Sequence, residues 1–161
     1  MTPRFPIRPL VLAAFLAAGT LFANTAITPE PRDANWVKRH EGFVEIAKKG
    51  GVDVLFIGDS ITDAWRRDGE KGGKKVWDEN FGPLKAANFG ISGDRTQHVL
   101  WRLENGEMQG IRPKVIVLMI GTNNTGFERD NTTPRNTPAE ASAGVATILK
   151  KLRSYQPQAK I

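Results

Sequence analysis

The run Val115-Ile116-Val117-Leu118-Met119-Ile120 constrains the fold more than any other stretch of the chain. It is unbroken, apolar and rich in β-branched side chains, and it ends in Gly121. A run this short suits a strand better than a helix. Because no polar residue alternates through it, both faces of the strand are expected to be covered, as in a parallel sheet between helices. Two further runs fit the same sheet: Val52 to Ile57 leads into Gly58, and Lys85 to Phe89 leads into Gly90.

Helical patterns separate these runs. Asp33 can cap a helix to about Lys48, with Trp36, Val37, His40, Phe43, Val44 and Ala47 at helical spacing. Lys48-Lys49 and Gly50-Gly51 suit its C-terminus. A second helix is predicted from Thr96 to Glu104, with Val99, Leu100 and Leu103 inward. Thr137-Pro138-Ala139-Glu140 is a capping box, opening a helix that carries Val145, Ile148, Leu149 and Leu152 and stops near Ser154. Arg66 to Lys75 is charged and Gly-rich and reads as a surface loop. A helix followed by three strand-helix units implies an α/β layered fold with a parallel sheet and right-handed crossovers. Gln158 to Ile161 looks like the approach to a fourth strand. Three strands make a small sheet and leave Val115–Ile120 as an unprotected edge. The expectation is therefore a fragment whose C-terminal part is missing.

The 161 residues suffice for one domain. Without cysteine there is no disulfide, thiolate nucleophile or cysteine-based zinc site. Arg4 and Arg8, the apolar stretch Leu10 to Phe22, and the small residues Ala23 and Ala26 give residues 1–23 the pattern of a secretory signal peptide. That stretch falls short of the ~20 residues of a membrane span, so no stable span is expected after cleavage. Residues 24–32 read as a Pro-rich linker and 33–161 as the folded domain. A signal without cysteine suits a secreted or periplasmic protein. Of the net charge of +6, Arg4 and Arg8 supply two, leaving about +4 spread along the chain. The short lysine pairs lack interleaved aromatics, which speaks against nucleic-acid binding.

In an open parallel sheet, sites collect beyond the carboxyl ends of the strands. Gly58-Asp59-Ser60-Ile61 places a serine after the first strand, at the start of a helix whose free N–H groups favour negative charge. The second strand leads to Gly93, where no side chain blocks the backbone N–H. The third leads to Asn123, whose amide has two donors. Ser60 N–H, Gly93 N–H and Asn123 together can stabilise the oxyanion formed when Ser60 attacks an ester carbonyl. Neither histidine is well placed as a base. His40 lies among apolar neighbours on the first helix, and His98 shares a helix flank with Arg102. Asp59 and Asp94 read as loop organisers bonding nearby backbone amides. Asp63 reads as a favourable charge in a first helical turn, and Trp65, Trp77 and Trp101 as packing residues. Residues 125–136 either shape a substrate pocket or merely connect. A phosphate-binding domain is disfavoured because no Gly-rich loop with a lysine is present.

Gly58-Asp59-Ser60, Gly90-Ile91-Ser92-Gly93-Asp94 and Gly121-Thr122-Asn123-Asn124 resemble blocks I, II and III of the SGNH (GDSL-type) hydrolases. The stretch Asn88 to Glu107, with Pro113 to Val117 and Gln156 to Ile161, is similar to the branch containing the catalytic subunits of intracellular platelet-activating-factor acetylhydrolase. The resemblance covers about Val52 to Ile161. It implies a flavodoxin-like three-layer α/β/α fold and ester hydrolysis without metal or cofactor. It carries the nucleophile onto Ser60 and the oxyanion residues onto Gly93 and Asn123. The implied partners are a small acyl-ester substrate, acetyl foremost, on a carbohydrate or lipid, and at most a second copy of the chain as a homodimer. The family's fourth block, Asp-x-x-His, which supplies base and orienting carboxylate, is absent from these residues. The alternative expectation is thus a carbohydrate- or lipid-binding module without turnover.

Overall fold

The computed structural model describes residues 24–70 and 72–161, so the segment read as a signal peptide lies outside them. Strand β1 (Val54–Gly58) lies between β2 (Ala86–Gly90) and β3 (Val115–Met119), parallel to both. Gly58 stands in register with Gly90 and with Met119, so the three strands end level and deliver their following loops to one edge. Helices cover both faces, giving the α/β architecture expected.

The pleat sends Leu55, Ile57, Phe89 and Ile116 to one face. There they form a single core with side chains of α1 (Ala34–Lys49), α4 (Thr96–Glu104) and α5 (Pro138–Tyr155). Phe43 of α1 stacks on Phe89 with ring centroids 4.7 Å apart. Asp33 caps α1 by accepting from the N–H groups of Asn35 and Trp36. Thr137 and Glu140 close the predicted capping box on α5.

Three expectations are corrected. The stretch read as a surface loop is cut short at its end, where Lys74 and Lys75 open a helix that had no assignment: α3 (Lys74–Asn80) packs on the opposite face, with Trp77 and, just after it, Phe81 at 4.9 and 5.1 Å from Phe56. The i,i+4 pairs Lys74–Asp78 and Lys75–Glu79, and the spacing of Trp77 and Phe81, carried that signal. Strand β3 is covered on one face only. Ile116 is buried, but Val117 and Met119 are 39% and 51% exposed, because α3 reaches only β1. Finally, residues 24–32 are no free linker. Ala26 is fully buried, its carbonyl accepts from Thr96 Oγ1 at 2.7 Å, and Asn136 Nδ2 donates to Thr25 Oγ1 at 2.8 Å. Lys160 starts to pair on the β3 edge, accepting from Ile116 N–H at 2.7 Å and donating to Lys114 O at 2.9 Å.

Helix α2 (Ser60–Asp63) lies against the ends of β1 and β2. Only glycine permits that approach. A Cβ on Gly58 would stand 2.1 Å from Thr62 Oγ1 and 2.6 Å from Met119 O, and one on Gly90 would stand 2.5 Å from Asp63 N. Gly58→Ala is therefore expected to destabilise the protein by about 2 kcal/mol, as overpacking does. Gly42→Ala is the contrast: it sits within α1 with nothing within 4 Å of the added Cβ, and should gain about 0.5–1 kcal/mol. Urea unfolding of both variants measures the difference.

Candidate active site

Ser60 is the first residue of α2, so its N–H lacks an intrahelical acceptor. Asp59 caps this one-turn helix, accepting from Ile61 N–H at 3.0 Å. A single turn adds little dipole, so the favourable field expected for a longer helix is small here. Ser60 is half-buried and Ile61 after it is exposed.

The second loop is held nearly rigid by its own hydrogen bonds. Ile91 N–H donates to Gly58 O, Ser92 N–H to Asp63 Oδ2, and Asp94 N–H to Ile91 O, each at 3.1 Å. Arg95 N–H donates to His98 Nδ1 and Thr96 N–H to Asn124 Oδ1, both at 2.9 Å. Through Ile91 to Thr96, only the Gly93 N–H has no acceptor among the described residues. Gly93 is exposed and has φ +82°, a conformation suited to glycine. Asn123 Nδ2 donates to Asp94 O at 2.9 Å and, more weakly, to Asp59 Oδ2 at 3.4 Å. One asparagine amide thus ties the third loop to the other two. The structure brings the Ser60, Gly93 and Asn123 loops together, and the Gly93 N–H among them is unpaired.

Three charged residues have roles that residue spacing did not disclose. Asp63 is the joint of the site. It takes a two-pronged contact from Arg39 at 2.8 and 3.1 Å, another from Arg66 at 2.8 Å, and hydrogen bonds from Ser92 N–H and Oγ. Burial raises its pKa, but the hydrogen bonds from Arg39 and Ser92 and the charges of Arg39 and Arg66 outweigh this and hold it at about 2, below 3.8. Asp94 binds side chains, not the backbone amides expected: its Oδ1 accepts from Trp36 Nε1 at 2.6 Å and Arg32 Nη1 at 3.1 Å. Burial pushes its carboxyl up, against the pull of Arg102 and Trp36. Arg102 is fully buried. Its Nε stands 3.1 Å from Asp94 Oδ2, close but not aligned for a hydrogen bond, and its Nη1 donates to Glu107 and Phe89 O. Periodicity showed no reason to bury a charge at 102 or 107.

Neither histidine is suited to act as a general base, although His98 lines the cleft beside Gly93 and Asn123. His40 is buried, with Nδ1 3.0 Å from Glu107 Oε1 and Nε2 3.0 Å from Asn105 O. His98 accepts at Nδ1, which leaves its proton on Nε2. Burial, then the charges of Arg32, Arg95 and Arg102, lower its pKa from 6.5 to about 3, too weak for a general base near neutral pH. Trp101 packs between Trp36 and His40, and Trp65 beside Trp77 and Phe81, as packing residues do. A cleft of about 590 Å³ borders Gly93 and Asn123, and every side chain lining it is polar or charged. Glu128 and Arg135 of the 125–136 loop form one wall: Glu128 pairs with Arg95 at 2.6 Å through both oxygens, and Arg135 donates to Asn123 O at 3.0 Å. The loop therefore shapes the cleft as well as connecting.

A level parallel sheet whose carboxyl edge gathers a serine, an unpaired glycine N–H and an asparagine amide defines the class: an α/β fold with the loop pattern of an acylhydrolase. The model of the GDSL-like Lipase/Acylhydrolase family matches residues 56–161, and the chain belongs to that family. It is 43% identical over 129 residues to platelet-activating factor acetylhydrolase IB subunit alpha2 of Rattus norvegicus, covering 80% of this chain and 50% of that one. It is 40% identical over 143 residues to subunit alpha1 of Bos taurus, covering 86% and 55%. The chain thus spans about half the length of the curated relatives it matches. A solved structure from Streptococcus pneumonia, provisionally described as a platelet activating factor, superposes with a TM-score of 0.51 at 26% identity, covering 78% of this chain and 54% of that one.

The Asp63 joint predicts a pH signature. Below its ordinary pKa of 3.8 the unfolded chain takes up a proton that the folded carboxylate refuses until about pH 2. The stabilisation is complete above pH 4 and fades as pH falls toward 2. Asp63→Asn should cost about 2–3 kcal/mol at pH 7 by leaving Arg39 and Arg66 unpaired. It should also flatten the stability curve between pH 4 and pH 2, as read by urea unfolding across that range.

Proposed function

We propose that this chain carries the nucleophile and oxyanion half of an exported serine esterase acting on small acyl esters, acetyl foremost. Ser60 Oγ attacks the ester carbonyl. The developing oxyanion is held by the N–H groups of Ser60 and Gly93 and by Asn123 Nδ2, which exchanges its 3.4 Å contact with Asp59 for the substrate. The observation that carries the reading is the convergence of three strand-end loops on one unpaired N–H at Gly93. The reading requires a general base that these residues do not supply, since His40 is bonded at both ring nitrogens and His98 is too weak a base. The wholly polar cleft favours a hydrated alcohol, such as a carbohydrate, over a lipid chain, because apolar groups gain nothing against such walls. Family membership supports acyl hydrolysis, and the charged and apolar pattern of residues 1–23 supports export.

The test uses the full-length protein and a short-chain chromogenic ester. Ser60→Ala should abolish turnover, and equal rates in the two proteins would overturn the assignment. Asn123→Ala should lower kcat about 100-fold with little change in KM, the mark of a donor used mainly in the transition state. Esters of an acetylated sugar should be cleaved faster than those of a long-chain lipid alcohol.

A further inference from the structure

Arg32 lies 28 residues before Ser60, in the stretch that composition assigned to a linker. Its guanidinium sits over the second loop. Nη1 donates to the Ser92 carbonyl at 2.9 Å and to Asp94 Oδ1 at 3.1 Å, and the side chain is 28% exposed against a fully buried aspartate. The space that a Cβ on Gly93 would take is bordered by this same guanidinium, 3.3 and 3.4 Å away at its two terminal nitrogens.

The Ser92 carbonyl and the Gly93 N–H belong to one planar trans peptide and point in opposite directions. A cation that holds the oxygen on one side therefore sets where the N–H points on the other. The next peptide group back is fixed too, since Ser92 N–H and Oγ both bond to Asp63 Oδ2 at 3.1 and 2.8 Å. The next peptide forward is fixed by Asp94 N–H, which donates to Ile91 O at 3.1 Å, and the one after it by Asp94 O, which accepts from Asn123. Without Arg32, the Ser92–Gly93 peptide would be the one unit of the loop with neither of its polar groups held, at a glycine whose backbone has the widest rotational freedom. The charge also draws electron density from the carbonyl and strengthens the N–H as a donor.

We infer that Arg32 is a positioning residue of the oxyanion site: by clamping the Ser92 carbonyl it aims the Gly93 N–H at the oxygen that becomes charged during ester cleavage. The inference rests on the esterase reading for its kinetic consequence but not for its structural one. The segment before α1 is accordingly part of the site. Asp94 serves as the anchor that keeps the guanidinium in place, itself held by Trp36 Nε1 at 2.6 Å.

The experiment compares the full-length protein with Arg32→Gln and Arg32→Lys. In the amide NMR spectrum of Arg32→Gln, the Gly93 resonance should shift and broaden while those of α5 stay in place. With a short-chain ester, kcat should fall about 10- to 100-fold at nearly constant KM, less than or equal to the loss of a direct donor. Arg32→Lys, which keeps a cation but not the fork, should recover part of that loss and holds the test open if the glutamine variant does not fold. An unmoved Gly93 resonance overturns the clamp whether or not the protein cleaves esters. A shifted resonance with unchanged kcat overturns its catalytic role. A lowered melting temperature with kcat intact well below it marks a purely structural arginine and likewise overturns the proposal. If Ser60→Ala matches the wild type, the esterase reading fails, and the Gly93 resonance still decides the clamp.

Discussion

The carboxylate of Asp63 is the contact on which the carboxyl edge of the sheet depends. It receives Arg39 from α1, Arg66 from the turn after α2, and the Ser92 backbone and hydroxyl from the loop after β2. Three segments that diverge in sequence are thereby fixed to one pair of oxygen atoms. Such a hub works only if α2 sits tight on the strand ends, and that in turn requires glycine at both 58 and 90. Two missing side chains and one buried charge are thus parts of the same device. The bare strand ends let the helix approach, the approach buries the carboxylate, and burial makes its arginine contacts strong.

A second charge chain runs beneath the first. Arg32, Asp94, Arg102, Glu107 and His40 follow one another from the cleft into the core, with Trp36 donating to Asp94 along the way. Taking Arg102 fully out of water is costly unless it is paired; its Nη1 donates to Phe89 O and Glu107 and its Nε lies 3.1 Å from Asp94, the Phe43 ring lies 5.8 Å away, and Nη2 has no hydrogen-bond partner among the described residues. The chain binds α1 and the loop after β2 to α4. This explains why the first helix, which contributes no residue to the lining of the cleft beside Gly93 and Asn123, is nevertheless part of the frame around it.

Much of this was legible in the residues. The apolar runs ending in glycine located all three strands within two residues, because a buried parallel strand leaves a continuous signature. Asp33, Thr137 and Glu140 announced helix starts because capping is local chemistry. Ser60, Gly93 and Asn123 were visible because each follows a strand. What stayed hidden was non-local. Arg102 read only as a charge on the flank of its helix that also carries His98, Glu107 drew no reading of its own, and only the fold reveals that both are buried. Asp63 looked like a helix-turn charge because its partners Arg39 and Ser92 lie 24 and 29 residues away. The exposure of Val117 and Met119 escaped a periodicity argument that counts apolar residues but cannot tell which faces find a neighbour.

The contacts that hold the loops of the proposed oxyanion site come from residues spread between 32 and 135. On the proposed reading the Gly93 donor is therefore held before any proton is moved. That ordering has an energetic consequence. A fixed donor stabilises the charged oxygen without the cost of reorienting at the moment of reaction, whereas a base needs only to come within hydrogen-bond reach of Ser60. On the same reading the demanding geometry, an aimed N–H, falls to a peptide group held by Arg32 and the bonds on either side of it. The tolerant geometry is left to whatever segment brings the base. A fold can divide its labour this way only because the level ends of β1, β2 and β3 put all three donor loops at one height.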